Sequence, residues 1–133
     1  MCDMESTLFK ILMLTPYSSV QRGNSLTTSR LKHFLSGADY QIDRMSLEDR
    51  KWQFELRENL SRCNYNLVHG FHARFMGEAL NQVPALSAIP IILTTTGTDI
   101  NYDLYGSQRK LVIHALEEAQ KIVVFNDTFR VGL

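Results

Sequence analysis

The sequence is poor in cysteine, has no excess of either charge and contains no long apolar run, and each scarcity excludes a class of protein. Its two cysteines, Cys2 and Cys63, stand far apart without metal-binding spacing, so we expect reduced thiols and a cytoplasmic protein. Fourteen basic residues balance fourteen acidic ones, so no net positive charge would attract a nucleic acid. No apolar run approaches the roughly 18 residues of a transmembrane helix, and the N-terminus lacks the apolar core of a secretory signal.

What is present is a regular alternation of two patterns. Short apolar runs without strict polar alternation are typical of strands that are covered on both faces of a sheet. Between these runs, apolar residues recur at helical spacing. The five predicted strands are Phe9–Leu14, Tyr40–Arg44, Asn66–Gly70, Ile89–Thr95 and Lys121–Phe125.

The predicted helices fill the intervals, and their order gives the fold. Their apolar faces and caps are Leu31, Phe34 and Leu35 after Asn24; Trp52, Leu56 and Leu60 after a Ser46–Asp49 capping box; Phe75–Leu80; and Leu111, Ala115, Leu116 and Ala119 after Ser107. Alternating strands and helices predict an α/β fold with a parallel sheet of about five strands and helices on both faces. We assign residues 1–8 to a tail and 9–133 to one domain, which we expect to be truncated because its last residues resemble the start of another helix.

Polar and glycine residues gather where the predicted strands end. They occupy residues 15–24, 69–74, 94–99 and 126–128, whereas the loops that enter the strands are plainer. Open parallel sheets bind ligands outside the carboxyl ends of their strands, near the point where strand order reverses. The sequence therefore predicts a binding site at this edge.

The first of these loops has features of an anion site. Gly23 permits close approach of the backbone, Arg22 supplies positive charge, and a helix after Asn24 presents free N–H groups. An ordinary loop with a helix cap explains the same residues equally well. The loop lacks both the three glycines of a dinucleotide site and the Gly-Lys-Ser/Thr of a phosphate-binding loop.

The loops after the third and fourth strands add histidines and a carboxylate. His72 and Arg74 are placed to face a phosphate or a sugar, while His69 is expected to be structural. A metal site is disfavoured, because no third ligand accompanies the two histidines. Asp99 can accept hydrogen bonds from sugar hydroxyls or cap the next turn. Asp103 follows nearby, between two tyrosines whose rings offer either walls for a sugar ring or ordinary surface packing, Tyr102 and Tyr105.

Four segments, taken together, resemble one known family. They are "RGNSLTTSR" after the first strand, "HARF" after the third, "TGTDINYDL" after the fourth and "AQKIVVFN" at the fifth. In order and position they are similar to the N-terminal domain of GT-B glycosyltransferases of the retaining group 1 family, from Lys10 to the end of the chain. The first three also resemble a small branch that includes selenosugar synthases.

The resemblance implies a Rossmann-like half of a two-domain enzyme that moves a sugar from a nucleotide sugar to an acceptor. This half would supply the acceptor side, and the C-terminal domain that holds the donor is expected to be missing, so we expect the chain alone to be inactive. No metal or other cofactor is implied. The implied donor-phosphate residues are Arg22, Gly23, Asn24, Thr27 and Arg30. The implied acceptor-cleft residues are His72, Arg74, Thr96, Gly97, Thr98, Asp99 and Asn126. Many relatives carry a histidine at the position of Thr96, so the catalytic residues stay unassigned.

Other interpretations remain open. A non-catalytic flavodoxin-like domain that binds a ligand or a protein partner would share the fold and expose an apolar patch. A nicotinamide-dependent enzyme is disfavoured by the missing glycines. A phosphoacceptor receiver is disfavoured because Thr15-Pro16 and His69-Gly70 stand where it needs acidic residues.

Overall fold

A computed structural model describes residues 9–16 and 40–124, apart from the side chain of Thr98, and the structural statements below concern these residues. They form a five-stranded, all-parallel sheet in the order β2-β1-β3-β4-β5, which confirms the predicted Rossmann-like α/β fold. The strands are β1 (Phe9–Thr15), β2 (Tyr40–Ser46), β3 (Leu67–Phe71), β4 (Ile91–Thr94) and β5 (Lys121–Val123). The helices are α1 (Trp52–Arg62), α2 (Ala73–Gln82), α3 (Thr98–Asn101) and α4 (Arg109–Glu118), with 3₁₀ helices at Pro84–Ala88 and Asp103–Tyr105.

One face of the sheet packs against α1, α2 and α4. Leu12, Val68 and Leu93 point to this face, as the register of the paired strands requires, and they join one buried cluster with residues of the three helices. The opposite face carries a smaller cluster around Ile11 and Met13. The helix predicted between β1 and β2 lies outside the described residues.

Helix α2 lies unusually close to α4. A Cβ on Gly77 would lie 2.0 Å from the carbonyl oxygen of Leu111, so only glycine allows this approach. Because α2 begins directly after β3, this contact fixes the helix that follows the carboxyl end of β3.

Two predicted helix caps are wrong. The Ser46 hydroxyl accepts from the Glu48 N–H at 3.1 Å and Asp49 accepts from the Lys51 N–H at 2.9 Å, so both side chains hold turns ahead of a helix that begins only at Trp52. Ser107 does not cap α4, which begins at Arg109 after Gln108 with no side-chain cap hydrogen bond.

The strand bounds also shift for identifiable reasons. β3 begins at Leu67, and Asn66, just before it, exchanges hydrogen bonds with Lys10: its side chain accepts from the Lys10 N–H at 2.9 Å, and its own N–H donates to the Lys10 carbonyl at 2.8 Å. β4 begins at Ile91 because a 3₁₀ helix and Pro90, which has no N–H to donate, precede it. β5 ends at Val123.

Two further expectations bear on location. Cys63 is buried and disulfide-bonded, so a reduced thiol was the wrong expectation for it; Cys2 lies outside the described residues. None of the described helices combines the length and apolar character needed to cross a bilayer.

Candidate functional site

The strand order reverses between β1 and β3, since β2 lies on one side of β1 while β3, β4 and β5 follow on the other. In open parallel sheets a crevice for ligands forms at such a switch point, outside the carboxyl ends of the strands. Here those ends are at Thr15 and Phe71. The residues that follow β3 and β4 therefore lie where a ligand is expected.

His72, directly after β3, has a strained backbone. It is the one non-glycine residue of the described ranges with a positive φ, 79°. Such conformations cost on the order of 1–3 kcal/mol and concentrate at functional sites. The residue is 5% exposed, and no described group forms a hydrogen bond with its Nδ1.

Three neighbours surround His72, and together we call the four residues the His72 cluster: His72, Arg74, Phe75 and Asp103. The Nε2 of His72 lies 3.7 Å from Asp103 Oδ2, and Arg74 Nη1 lies 4.0 Å from Asp103 Oδ1. The Phe75 ring meets the imidazole edge-on at 4.7 Å and lies 5.2 Å from the guanidinium of Arg74. Within the described ranges, Arg74 Nε and Asp103 Oδ2 are buried without a hydrogen-bond partner.

The electrostatics of the cluster favour a neutral imidazole. Burial lowers the pKa of His72 below its ordinary value, and the charge of Arg74 acts in the same direction. The carboxylates of Asp99 and Asp103 oppose this by favouring the protonated form. A neutral imidazole beside a carboxylate and a guanidinium can both accept hydrogen bonds from a hydroxylated ligand and donate to it.

Asp99 has a different environment. It is fully buried, and its carboxylate accepts hydrogen bonds from the N–H groups of Ala73, Thr96 and Ile100 at 2.7, 2.9 and 3.0 Å. The Thr96 hydroxyl adds a fourth at 3.3 Å. The carboxylate thus caps the start of α2 and holds its own loop, whereas the sequence left open a cap of the turn that follows Asp99.

His69, in the middle of β3, is held by the fold as expected. Its Nε2 lies 2.7 Å from Thr94 Oγ1, and its ring stacks on Phe71 with centroids 4.3 Å apart. Burial lowers the pKa of His69 to about 4. Within the described ranges, no three His, Cys, Asp or Glu side chains group to hold a metal ion.

The structure thus brings part of the predicted site together. His72 and Arg74 lie in the cluster, while the loop with Thr96 and Gly97 wraps around Asp99. The backbone of Thr98 begins α3. The remaining predicted residues lie outside the described ranges: Arg22, Gly23, Asn24, Thr27, Arg30 and Asn126.

Sequence reasoning named Asp103 only as a neighbour of two tyrosines and gave it no place beside His72. The available signal was its position in a run of polar residues after a buried strand. Tyr102 and Tyr105, on either side of it, are 74% and 78% exposed.

No protein-family model matches this chain, and no curated protein matches it significantly. Fold, site geometry and sequence motifs therefore carry the functional argument.

Proposed function

We propose that the chain is the N-terminal, acceptor-side domain of a retaining GT-B glycosyltransferase, which acts with a second domain that binds the nucleotide sugar. The observation that carries the proposal is the His72 cluster at the carboxyl end of β3, beside the switch point of a parallel sheet. The sequence segments that resemble the family support it, because two of them, "HARF" after β3 and "TGTDINYDL" after β4, lie at this edge of the sheet.

In the proposed reaction the bond between the sugar's anomeric carbon and the nucleoside diphosphate breaks. A new bond forms to the acceptor on the same face of the sugar, the nucleoside diphosphate leaves, and the acceptor loses a proton. The task of this domain is to bind and orient the acceptor, which lowers the entropic part of the barrier.

The His72 cluster suits a hydroxylated acceptor. A hydroxyl can donate to the Asp103 carboxylate and accept from the Arg74 guanidinium, because these side chains are 14% and 37% exposed. Tyr102 and Tyr105 flank Asp103 with exposed rings, which offer apolar faces to a sugar or another ring.

The proposed donor side rests on sequence alone. Arg22, Gly23, Asn24, Thr27 and Arg30 would face the donor diphosphate, with the positive end of a helix and an arginine stabilising the leaving group. The acceptor, the sugar and the base stay open, with a selenosugar-synthase-like reaction as one candidate.

The test starts from the protein made from its complete gene. We expect a mass of roughly two domains and release of nucleoside diphosphate from at least one donor in a panel of UDP-, GDP- and ADP-sugars. The 133-residue chain alone should release none. Sugar transfer by this chain alone would contradict the proposal, as would an intact two-domain protein that is inert toward every donor with sugar, alcohol, thiophosphate and selenophosphate acceptors.

A paired substitution locates the activity. Arg74→Gln should lower kcat/KM by about tenfold or more, because it removes a charged contact worth roughly 1.5–3 kcal/mol. Arg62→Gln is the matched control, since Arg62 is exposed on α1 and pairs with Glu58 of the same helix. Equal losses in the two variants would show that the His72 cluster is not the acceptor site.

A second candidate, a non-catalytic domain that binds a partner, is favoured by the apolar character of the β5 edge. Ile122 and Val123 are 44% and 39% exposed there. A native protein of about 15.3 kDa that is inert toward all donors would favour this candidate over the transferase.

A further inference from the structure

Two successive peptide N–H groups hold His72 against the loop after β4. The N–H of His72 donates to the Thr94 carbonyl at 2.9 Å. The next N–H, that of Ala73, donates to Asp99 Oδ2 at 2.7 Å. The first bond orients the peptide before His72 and the second orients the peptide after it, so together they restrict both φ and ψ of this residue.

The second bond has no substitute in the surroundings. Ala73 is the first residue of α2, and N–H groups at a helix start have no acceptor within the helix. The other Asp99 oxygen accepts from Thr96 and Ile100, which keeps the carboxylate in place. The buried carboxylate therefore joins the start of α2 to the loop between β4 and α3.

We propose that Asp99 is a positioning residue: by accepting from the Ala73 N–H, it keeps His72 in its left-handed backbone conformation and its imidazole inside the His72 cluster. Asp99 thus acts through His72 and does not itself touch the ligand. The inference rests on the proposed function only for the identity of the ligand that His72 would contact. The positioning of His72 by Asp99 is independent of any transfer reaction.

A plain helix cap differs from a positioning residue in what its removal changes. Loss of a cap lowers stability but leaves the conformation of its neighbours intact. Loss of the proposed contact frees ψ of His72, so the strained φ of 79° can relax toward the negative values that L-residues prefer. The conformation of His72 is therefore the readout that separates the two roles.

The test is Asp99→Asn in the 133-residue chain, followed by NMR. The amide keeps the size of the side chain but offers only one acceptor atom. That oxygen should stay with Thr96 and Ile100, which supply three of the four hydrogen bonds, so an NH₂ group faces the Ala73 N–H, which loses its partner. We expect exchange of the Ala73 amide hydrogen to accelerate by about tenfold or more. The strong intraresidue HN–Hα NOE that marks a positive φ at His72 should weaken.

Asp103→Asn is the matched control. The charged groups that face His72 among the described residues are Asp99, Asp103 and Arg74, and either substitution removes one negative charge. Both variants should therefore lower the pKa of the His72 imidazole, read from its ring signals. Only Asp99→Asn should change Ala73 exchange and the His72 NOE, because Asp99 accepts from the Ala73 N–H, whereas Asp103 faces the side chain of His72.

Two results would overturn the proposal. One is unchanged Ala73 exchange and an unchanged His72 NOE in Asp99→Asn; the other is equal changes in the control. If Asp99→Asn does not fold, the wild-type chain still tests the proposal: absence of a scalar coupling from the Ala73 nitrogen to the Asp99 carboxyl carbon, or of the strong HN–Hα NOE of His72, would overturn it. No readout involves a donor sugar, so failure of the transferase proposal would leave this result intact, and the reverse holds as well.

Discussion

The middle of β3 and its carboxyl end each carry a buried histidine, and the two are held in different ways. His69 lies in the regular ladder, with its ring stacked on Phe71 and its Nε2 beside the Thr94 hydroxyl. His72, three residues further along and directly after the strand, has a positive φ. Its Nδ1 has no hydrogen-bond partner among the described residues, and charged groups lie close to its ring.

The two histidines differ in their cost to stability: the positive φ and the unpaired buried Nδ1 both belong to His72, at the carboxyl end of β3. Burial lowers the pKa of both imidazoles, but only at His72 do carboxylates oppose that effect. A residue that serves packing alone is expected to have its polar atoms satisfied and its backbone relaxed, as at His69. Strain and unsatisfied atoms at His72 make the end of the strand the candidate functional region.

The largest effect should come from Gly77→Ala, which disturbs the carboxyl end without touching the middle of β3. The added Cβ would meet the Leu111 backbone at 2.0 Å, and backbone atoms cannot move aside as a flexible side chain can. We expect a loss of about 3 kcal/mol in the free energy of unfolding, measured by urea denaturation.

Gly97→Ala is the matched control, because its Cβ would lie 3.8 Å from Asn101 Nδ2, an ordinary contact. It should change stability by less than about 0.5 kcal/mol. In Gly77→Ala the ring signals of His72 should shift more than those of His69. Similar stability of the two variants would contradict the close approach of α2 to α4.

A smaller effect follows from acidification, which reports mainly on the middle of β3. The pKa of His69 is about 4 in the folded chain against 6.5 as the ordinary value. Between these two pH values the unfolded chain binds more protons than the folded one, so stability falls as pH falls. The expected loss is roughly 2 to 3 kcal/mol from pH 7 to pH 4.

His69→Gln should remove the contribution of His69 to this pH dependence, because glutamine does not titrate, while a contribution from His72, whose pKa burial also lowers, should remain. His114→Gln, on α4, is the histidine control and should retain it. The measurement is urea denaturation at a series of pH values. A His69→Gln chain that is as acid-sensitive as the wild type would assign the effect to other groups.

The smallest expected effect is a difference in stability between two glycine variants, His69→Gly and His72→Gly. His69→Gly removes a stacked ring and weakens a strand, whereas His72→Gly removes packing but also relieves the positive φ. We expect His72→Gly to cost about 1 kcal/mol less than His69→Gly in thermal unfolding. If the strain at His72 is absent, the two costs will be alike.

The sheet could be predicted because buried strands appear in the sequence as short runs of apolar residues. A run such as Phe9–Leu14 has few polar residues, and helical spacing between runs requires crossovers, which make neighbouring strands parallel. Helix starts were predicted less well. Ser46 and Asp49 are good capping residues, but they hold the preceding turn here.

The candidate site was predictable in place but not in detail. The sequence shows directly that polar residues follow β3. It does not show that His72 has a positive φ, because histidine rarely adopts one. Asp99 and Asp103 are both carboxylates after β4. Only tertiary contacts make Asp99 a cap for α2 and bring Asp103 beside His72. The short α3 and the 3₁₀ helix at Asp103–Tyr105 were likewise not indicated by the sequence.

The interior place of β1 has a consequence for how the chain is made. β1 is synthesised before the other described strands, yet one of its neighbours is β3, and Asn66, the residue before β3 that bonds to Lys10, comes 56 residues further along. At roughly 5–20 residues per second, a ribosome needs on the order of 3 to 11 seconds to supply that partner. Until then β1 can pair with β2 on one side only and its other edge remains open, so the nascent chain is expected to depend on chaperones more than a helical bundle of equal size.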